Sequence, residues 1–306
     1  MLLIGSRGSQ LALWQARWIA SRLAERSCET RIEIIKTTGD KITDVPLAKV
    51  GTKGLFTKEI EEALLDGRID LAVHSLKDLP TELPGGLIIA AIPEREDPRD
   101  AIVGGKLDQL PAGATIGTGS LRRAAQLRKM RPDLLIESIR GNLDTRLRKL
   151  DEGQYRAIVL ASAGLTRLGW THRISQVLEP EIMCPAVGQG ALAVETRESG
   201  YAKETCQSLD HAATRAAVTA ERAVLAALGG GCQVPIGAYA EVQGETLHLI
   251  AVVISPEGSR LVRENTGGPV QDAERLGSEL GARLLASGAR EILEQVYSTP
   301  GRDAAV

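Results

Sequence analysis

The chain has 306 residues, with 37 Lys and Arg against 39 Asp and Glu, a formal net charge of −2 and only 3% aromatic residues. At roughly 150 residues per domain, this length accommodates two or three domains with full hydrophobic cores. Near-neutral charge and scarce aromatic rings argue against a general nucleic-acid binder, and no apolar run reaches the ~20 residues that span a bilayer.

The opening MLLIGSRGS lacks the basic, apolar and small-residue order of a secretory leader, so a cytoplasmic protein is expected. Residues 2–5 read as a short strand that opens into Gly5-Ser6-Arg7-Gly8-Ser9. Leu11, Trp14, Ile19 and Leu23 set one apolar face of a helix over 11–23, with Ser9 placed to cap it and Trp18 assigned to core. A strand is expected at 31–36 and an amphipathic helix at 56–65, ended by Asp66-Gly67. Residues 69–73 form a buried strand leading into His74-Ser75-Leu76-Lys77-Asp78-Leu79-Pro80, and 87–92 another strand. The charged, proline-flanked segment 93–100 suits a hinge. Beyond it come strands at 114–116, 136–139 and 157–161, with helices at 121–130 and 142–150. Residues 185–190 return the chain across the hinge, and 212–228 form an Ala-rich helix. Strands at 234–242, 246–254 and 260–264, then a helix at 272–285, make a small antiparallel α+β unit. The fold class is α/β: βα alternation implies parallel, doubly wound sheets for the first two-thirds.

Doubly wound sheets bind ligands at the carboxyl ends of their strands, so those loops carry the chemistry. Gly117-Thr118-Gly119-Ser120-Leu121-Arg122-Arg123 offers helix N-terminal N–H groups and two arginines to a carboxylate or phosphate. It is neither a Walker A loop nor a full dinucleotide fingerprint, and a capped helix with a solvated basic turn is the alternative. Ile139-Arg140-Gly141-Asn142-Leu143-Asp144-Thr145-Arg146 repeats the arrangement. Any one of Arg7, Arg122, Arg123, Arg140 and Arg146 suits a surface ion pair; together at strand ends they favour a ligand with several carboxylates. Lys49 and Lys53 either add charge from a Gly-rich loop or are simply solvated. Asp78 is either an acid/base carboxylate beside the anion partner Lys77 or a turn residue capping local N–H groups. His74 reads as a hydrogen-bonded packing residue. Cys28, Cys184, Cys206 and Cys232 show neither zinc spacing nor a disulfide context. Cys232, after three glycines, is either a reachable nucleophile or a plain small residue entering a strand.

Taken together, segments 11–16, 48–56, 74–80, 94–100, 117–123, 140–147, 185–190 and 230–237 resemble the porphobilinogen deaminase (hydroxymethylbilane synthase) family, in family order over about 4–297. The resemblance implies two doubly wound domains like those of periplasmic binding proteins, 1–95 with about 188–210, and 96–187. A small α+β domain, 211–306, would present the cysteine. It implies a dipyrromethane cofactor joined by a thioether to Cys232 and contacted by Ser75, Lys77, Asp78, Ser120, Arg122 and Arg123. Arg7, Ser9, Gln15, Arg140, Arg146 and Arg167 match substrate contacts, and Lys49, Lys53 and Phe56 match the active-site loop. The implied activity is that of a tetrapyrrole-pathway transferase, in which four porphobilinogens are added head to tail, each losing ammonia, and hydrolysis releases hydroxymethylbilane. Asp78 matches the catalytic carboxylate that would stabilise an azafulvene-like cation. A monomer is implied, without nucleic acid, membrane or metal. Gln10 and Gly119 depart from the family's usual Pro and Ser. A non-enzymatic two-lobed binder of a small polycarboxylate is the alternative. Acidic residues on outer faces, such as Glu59, Glu61 and Glu62, are expected to balance the arginines.

Overall fold

The computed structural model describes residues 1–41, 55–229 and 234–298. Its first sheet contains β1 (Leu2–Ser6), β2 (Thr30–Ile34), β3 (Leu71–Ser75), β4 (Leu87–Ala91) and, from much later in the chain, β10 (Leu192–Arg197). Its second contains β5 (Asp100–Val103), β6 (Thr115–Gly117), β7 (Leu135–Glu137), β8 (Ala157–Ala161) and β9 (Gln176–Leu178). The strand orders, β2-β1-β3-β10-β4 and β7-β6-β8-β5-β9, are the same pattern used twice. In each, parallel strands dominate one side, and a strand that has just crossed from the other sheet inserts antiparallel: β10 beside β3 and β4, β5 beside β8 and β9.

Helices cover both faces of each sheet. On the first, α1 (Gln10–Ala24) buries Ala16, Ile19 and Leu23 against β1 and β3, and the opposite face receives Ile60, Ala63 and Leu64. The Ser9 hydroxyl accepts from the Ala12 N–H at 3.3 Å, so the expected cap forms. Trp18 packs on the edge of this core. On the second sheet, Leu127 packs on one face, and Leu147 and Leu165 on the other. The third sheet is an antiparallel meander of β11 (Ile236–Gln243), β12 (Thr246–Ile254) and β13 (Leu261–Pro269). It packs on helices Ala212–Ala227 and Ala273–Leu284 through a core that includes Ala220, Val224, Leu249 and Leu280. Among the described residues no helix is long and apolar enough to cross a membrane.

Several sequence expectations shift. The helix expected from 56 begins at Lys58, leaving Phe56 in the preceding turn, and the strand expected at 69–73 is Leu71–Ser75. Strands β9 and β10 and helices Ser162–Arg167, Tyr201–Gln207 and Arg290–Ser298 were not anticipated. Glu61 is not on an outer face: it is 7% exposed, and burial raises its carboxyl above the usual range. Glu59 instead accepts from the Thr38 backbone N–H at 2.8 Å.

Candidate active site

The carboxyl ends of β1, β3, β6, β7 and β8 all point toward the gap between the first two sheets. That gap holds a cavity of about 570 Å³. The first unit contributes Arg7 and Ser9 after β1, Gln15 from α1, Phe56, and Ser75, Lys77 and Asp78 after β3. The second contributes Arg123, Arg140, Arg146 and Arg167. The sequence-nominated residues therefore converge from both units. Ser120 and Arg122 line a smaller recess of about 70 Å³ beside Lys77, rather than the main cavity. Lys49, Lys53 and Cys232 lie outside the described residues.

Local geometry explains the placement. Gln15 is 3% exposed, and its side-chain amide donates to the Ser75 hydroxyl at 2.9 Å, locking α1 to the end of β3. A single 3₁₀ turn, Leu76–Asp78, then brings Asp78 out to an exposed position on the cavity wall. The Arg7 guanidinium lies 4.2 Å from the Phe56 ring centroid, and that of Arg167 lies 5.9 Å from the Trp14 ring. His74 is 6% exposed, and its Nε2 lies 3.0 Å from Oε2 of the fully buried Glu195. This is the packing role the sequence suggested.

The arginine pair at the start of helix Leu121–Met130 is more deeply set than its sequence implied. Arg122 and Arg123 are 4% and 5% exposed, and both converge on the fully buried Asp100. Arg122 Nη1 donates to Asp100 Oδ2 at 2.7 Å and to the Cys184 carbonyl at 2.6 Å. Arg123 Nε donates to Asp100 Oδ1 at 2.9 Å. Gln189, fully buried, donates to the same Oδ1 at 2.8 Å and accepts from Arg123 and Lys77 at 3.3 and 3.4 Å. Although burial alone opposes ionisation, the two guanidiniums hold Asp100 well below the usual carboxylate range. Sequence reading placed Asp100 in the hinge and Gln189 in the returning segment, without assigning either a role. The only available signal was an acid beside a proline-flanked turn.

Two further arginines are held by backbone carbonyls. Arg146 Nε donates to the Gly141 carbonyl at 2.8 Å, and Arg167 Nη2 to the Gly190 carbonyl at 2.7 Å. Burial first, then repulsion from Arg123 and Arg140, pushes Arg146 down to about 10. Burial does the same to Arg167, also to about 10. Lys77 falls to about 8 through burial and the Arg123 charge, against the pull of Asp78. Lys149, three residues after Arg146, also lines the cavity and escaped the sequence reading. Among the described residues, seven cations (Arg7, Lys77, Arg123, Arg140, Arg146, Lys149 and Arg167) and two carboxylates, Asp78 and Asp144, line the cavity. These depressions come first from burial, a cost to the charged form that a polycarboxylate partner would offset. Among the described residues no group of His, Cys, Asp and Glu is arranged to hold a metal ion. Cys28, Cys184 and Cys206 are buried, and burial pushes the last two up to about 12, far from a reactive thiolate.

Comparison with known proteins identifies the family. The family model described as "Porphobilinogen deaminase, dipyromethane cofactor binding domain" matches residues 2–205, and "Porphobilinogen deaminase, C-terminal domain" matches 215–286. A curated porphobilinogen deaminase from Geobacter metallireducens is 53% identical over 301 residues, 97% of this chain and 95% of that protein. The Geobacter sulfurreducens protein of the same name is 54% identical over the same shares. Among solved structures, a periplasmic substrate-binding protein of an ABC transporter from Coxiella burnetii is 14% identical. It covers 68% of this chain and 92% of its own, with a TM-score of 0.43.

Proposed function

The chain belongs to the porphobilinogen deaminase family, with the transferase function and dipyrromethane cofactor of that family, and from that premise we propose how its residues divide the work. The reading is of a hydroxymethylbilane-forming enzyme that joins four porphobilinogens head to tail, each with loss of ammonia. The observation that carries it is the cavity wall on which Asp78 stands among cations drawn from both units.

The residues present fit the cofactor. Each of its pyrroles bears carboxylates, and the cation surplus described above supplies matching bidentate and point-charge donors. Lys77, Arg122, Arg123 and Ser120 would hold it, with Cys232 forming the thioether. When bound, the group supplies a pyrrole carbon to which the first substrate is joined.

Arg7, Arg140, Arg146 and Arg167 then grip the acetate and propionate of porphobilinogen. Ser9 and Gln15 line the same wall, and Phe56 backs Arg7. Loss of ammonia leaves positive charge on the substrate pyrrole. Asp78 stabilises that charge, accepts from the pyrrole N–H and passes protons at its carboxylate. The main core of each sheet supports a division into domains at 1–95 with about 188–210, 96–187 and 211–306, with Val187 and Val218 packing across the divisions. The reading extends to a cytoplasmic monomer, which light scattering on the purified protein checks.

Intact-mass analysis of the native protein should show an adduct of two linked pyrroles that is absent from Cys232→Ser. Asp78→Asn should keep the adduct while turnover, read as ammonia release, falls by about 10²–10⁴-fold. An unmodified but fully active protein overturns the cofactor assignment; near-normal turnover in Asp78→Asn removes the carboxylate from its role.

A further inference from the structure

The turn that presents Asp78 is gripped from the third layer. Helix Ala212–Ala227 packs on β11 and β12, yet two adjacent residues reach out of that core in different directions. Glu221, fully buried, accepts two bonds from the Arg95 guanidinium, at 2.6 and 3.2 Å. It also accepts the backbone N–H of Gly188 at 2.7 Å and of Ala240 at 2.8 Å. The helix is thereby pinned to both crossing segments and to β11. Half-buried Arg222 reaches the other way. Its Nη2 donates to the carbonyls of Pro80 at 2.6 Å and Thr81 at 3.0 Å, and its Nη1 reaches that of Leu79 at 3.5 Å. Those carbonyls belong to the residues immediately after Asp78. On its other side the same turn is tied to the first sheet, by Leu76 N–H donating to the Ala191 carbonyl at 3.0 Å.

We propose that Arg222 is a positioning residue for Asp78: it fixes the exit of the 3₁₀ turn from the third layer, and so sets how the carboxylate stands in the cavity. The inference rests on the assignment of Asp78 as the catalytic carboxylate. A planar guanidinium suits the task, since its fork reaches carbonyls fanned along one segment, which a shorter ammonium covers only in part. Helix Ala212–Ala227 also ends five residues before Cys232 in sequence. One helix therefore connects the segment bearing the thioether cysteine to the turn bearing the acid. Arg222 does not line the main cavity; it borders the smaller recess with Lys77, Ser120 and Arg122, where its guanidinium is engaged by the carbonyls of the turn.

The test uses the full-length enzyme with its cofactor. Arg222→Met removes the donors at similar size. Turnover should fall about 10–100-fold, the scale expected when a reacting group is displaced by about an ångström, with KM within about threefold. Intact mass should show the two-pyrrole adduct undiminished, and amide hydrogen exchange should quicken at residues 79–82. Arg222→Lys should recover part of the loss. In an Asp78→Asn background, Arg222→Met should cost less than about twofold, because its effect runs through the missing carboxylate. Adduct-bearing Arg222→Met with turnover within about twofold of the parent overturns the proposal. So does an equal fold-loss in both backgrounds, which is the signature of a merely structural residue. Should Arg222→Met fail to fold, Arg222→Lys is read by the same cycle and the same limits. Wild-type turnover in Asp78→Asn alone overturns the Asp78 assignment and this proposal with it. A dead Asp78→Asn beside an unaffected Arg222→Met overturns this proposal only.

Discussion

Asp100→Asn tests the electrostatic frame of the site more directly than any change to a lining residue. Asp100 is fully buried and receives Arg122 at 2.7 Å, Arg123 at 2.9 Å and Gln189 at 2.8 Å. An amide keeps one acceptor oxygen but turns an NH₂ toward a guanidinium donor and leaves two buried cations without their counter-charge. Hydrogen bonds to charged groups contribute about 1.5–3 kcal/mol each, but they share one carboxylate and are not additive. The better guide is the cost of breaking a buried pair from one side, about 3–5 kcal/mol. With a urea m-value near 3 kcal/mol/M, the unfolding midpoint should drop by about 1–2 M. The pH dependence gives a second check. Asp100 is held below its ordinary 3.8, so its contribution is complete above that value and is lost as pH falls toward its folded pKa. The stability gap between wild type and Asp100→Asn should be flat from about pH 5 upward and narrow below about pH 4. Cofactor loading, read by intact mass, should fall as well, because Arg122 and Arg123 lose the group that aims them. A gap under about 1 kcal/mol at pH 7, or one unchanged at pH 3.5, refutes this reasoning.

Lys77 stands at about 8, below its ordinary 10.5, so two slopes of opposite sign follow. Rising pH from about 8 should stabilise the protein as the half-buried ammonium is neutralised, while the fraction of protein lacking the cofactor adduct after reconstitution, read by intact mass, rises over the same range as a cofactor-holding cation is lost. Lys77→Arg should flatten that rise, and an unaltered profile would exclude Lys77 as the titrating group. Gly190 lies at φ +88°, where a Cβ would collide with the Glu96 carbonyl. Gly190→Ala should therefore cost about 1–3 kcal/mol in thermal unfolding and also raise KM, since the Gly190 carbonyl anchors Arg167 at 2.7 Å. A variant with both quantities unchanged would show that the crossing segment tolerates the shift.

The parts legible in sequence were those with local causes. Ser9 caps its helix as read, and helix 121–130 and strand 157–161 fall where periodicity put them, because caps and apolar spacing act within a few residues. The convergence of strand-end loops followed from sheet physics, and so Arg7, Asp78, Arg123, Arg140 and Arg146 were found. Long-range partners were not legible. Strand β10 pairs with β3 across more than a hundred residues, and its short run, Leu192–Arg197, has no distinctive alternation. Asp100 and Glu221 drew no role, since nothing local announces that Arg122, Arg123 or Arg95 will meet them. Glu61 failed for the same reason: it stands at the border between buried Ile60 and Leu64 and exposed Lys58 and Glu62, and only the tertiary packing shows that this border is covered.

These pairings change the meaning of the near-neutral total charge. The arginines fall into two electrostatic classes. Arg122 and Arg123 share the single charge of Asp100, which offsets part of their mutual repulsion and fixes their direction before any ligand arrives. Arg146 and Arg167 are steered by carbonyls, whose dipoles orient a guanidinium without cancelling its charge, and both remain depressed to about 10. The first class can support a group that stays bound through every turnover, because Asp100 sets its geometry in advance. The second keeps unspent attraction for carboxylates that must enter and leave. A chain elongation reaction needs both kinds in one cavity, and one buried aspartate is enough to divide a basic wall into them.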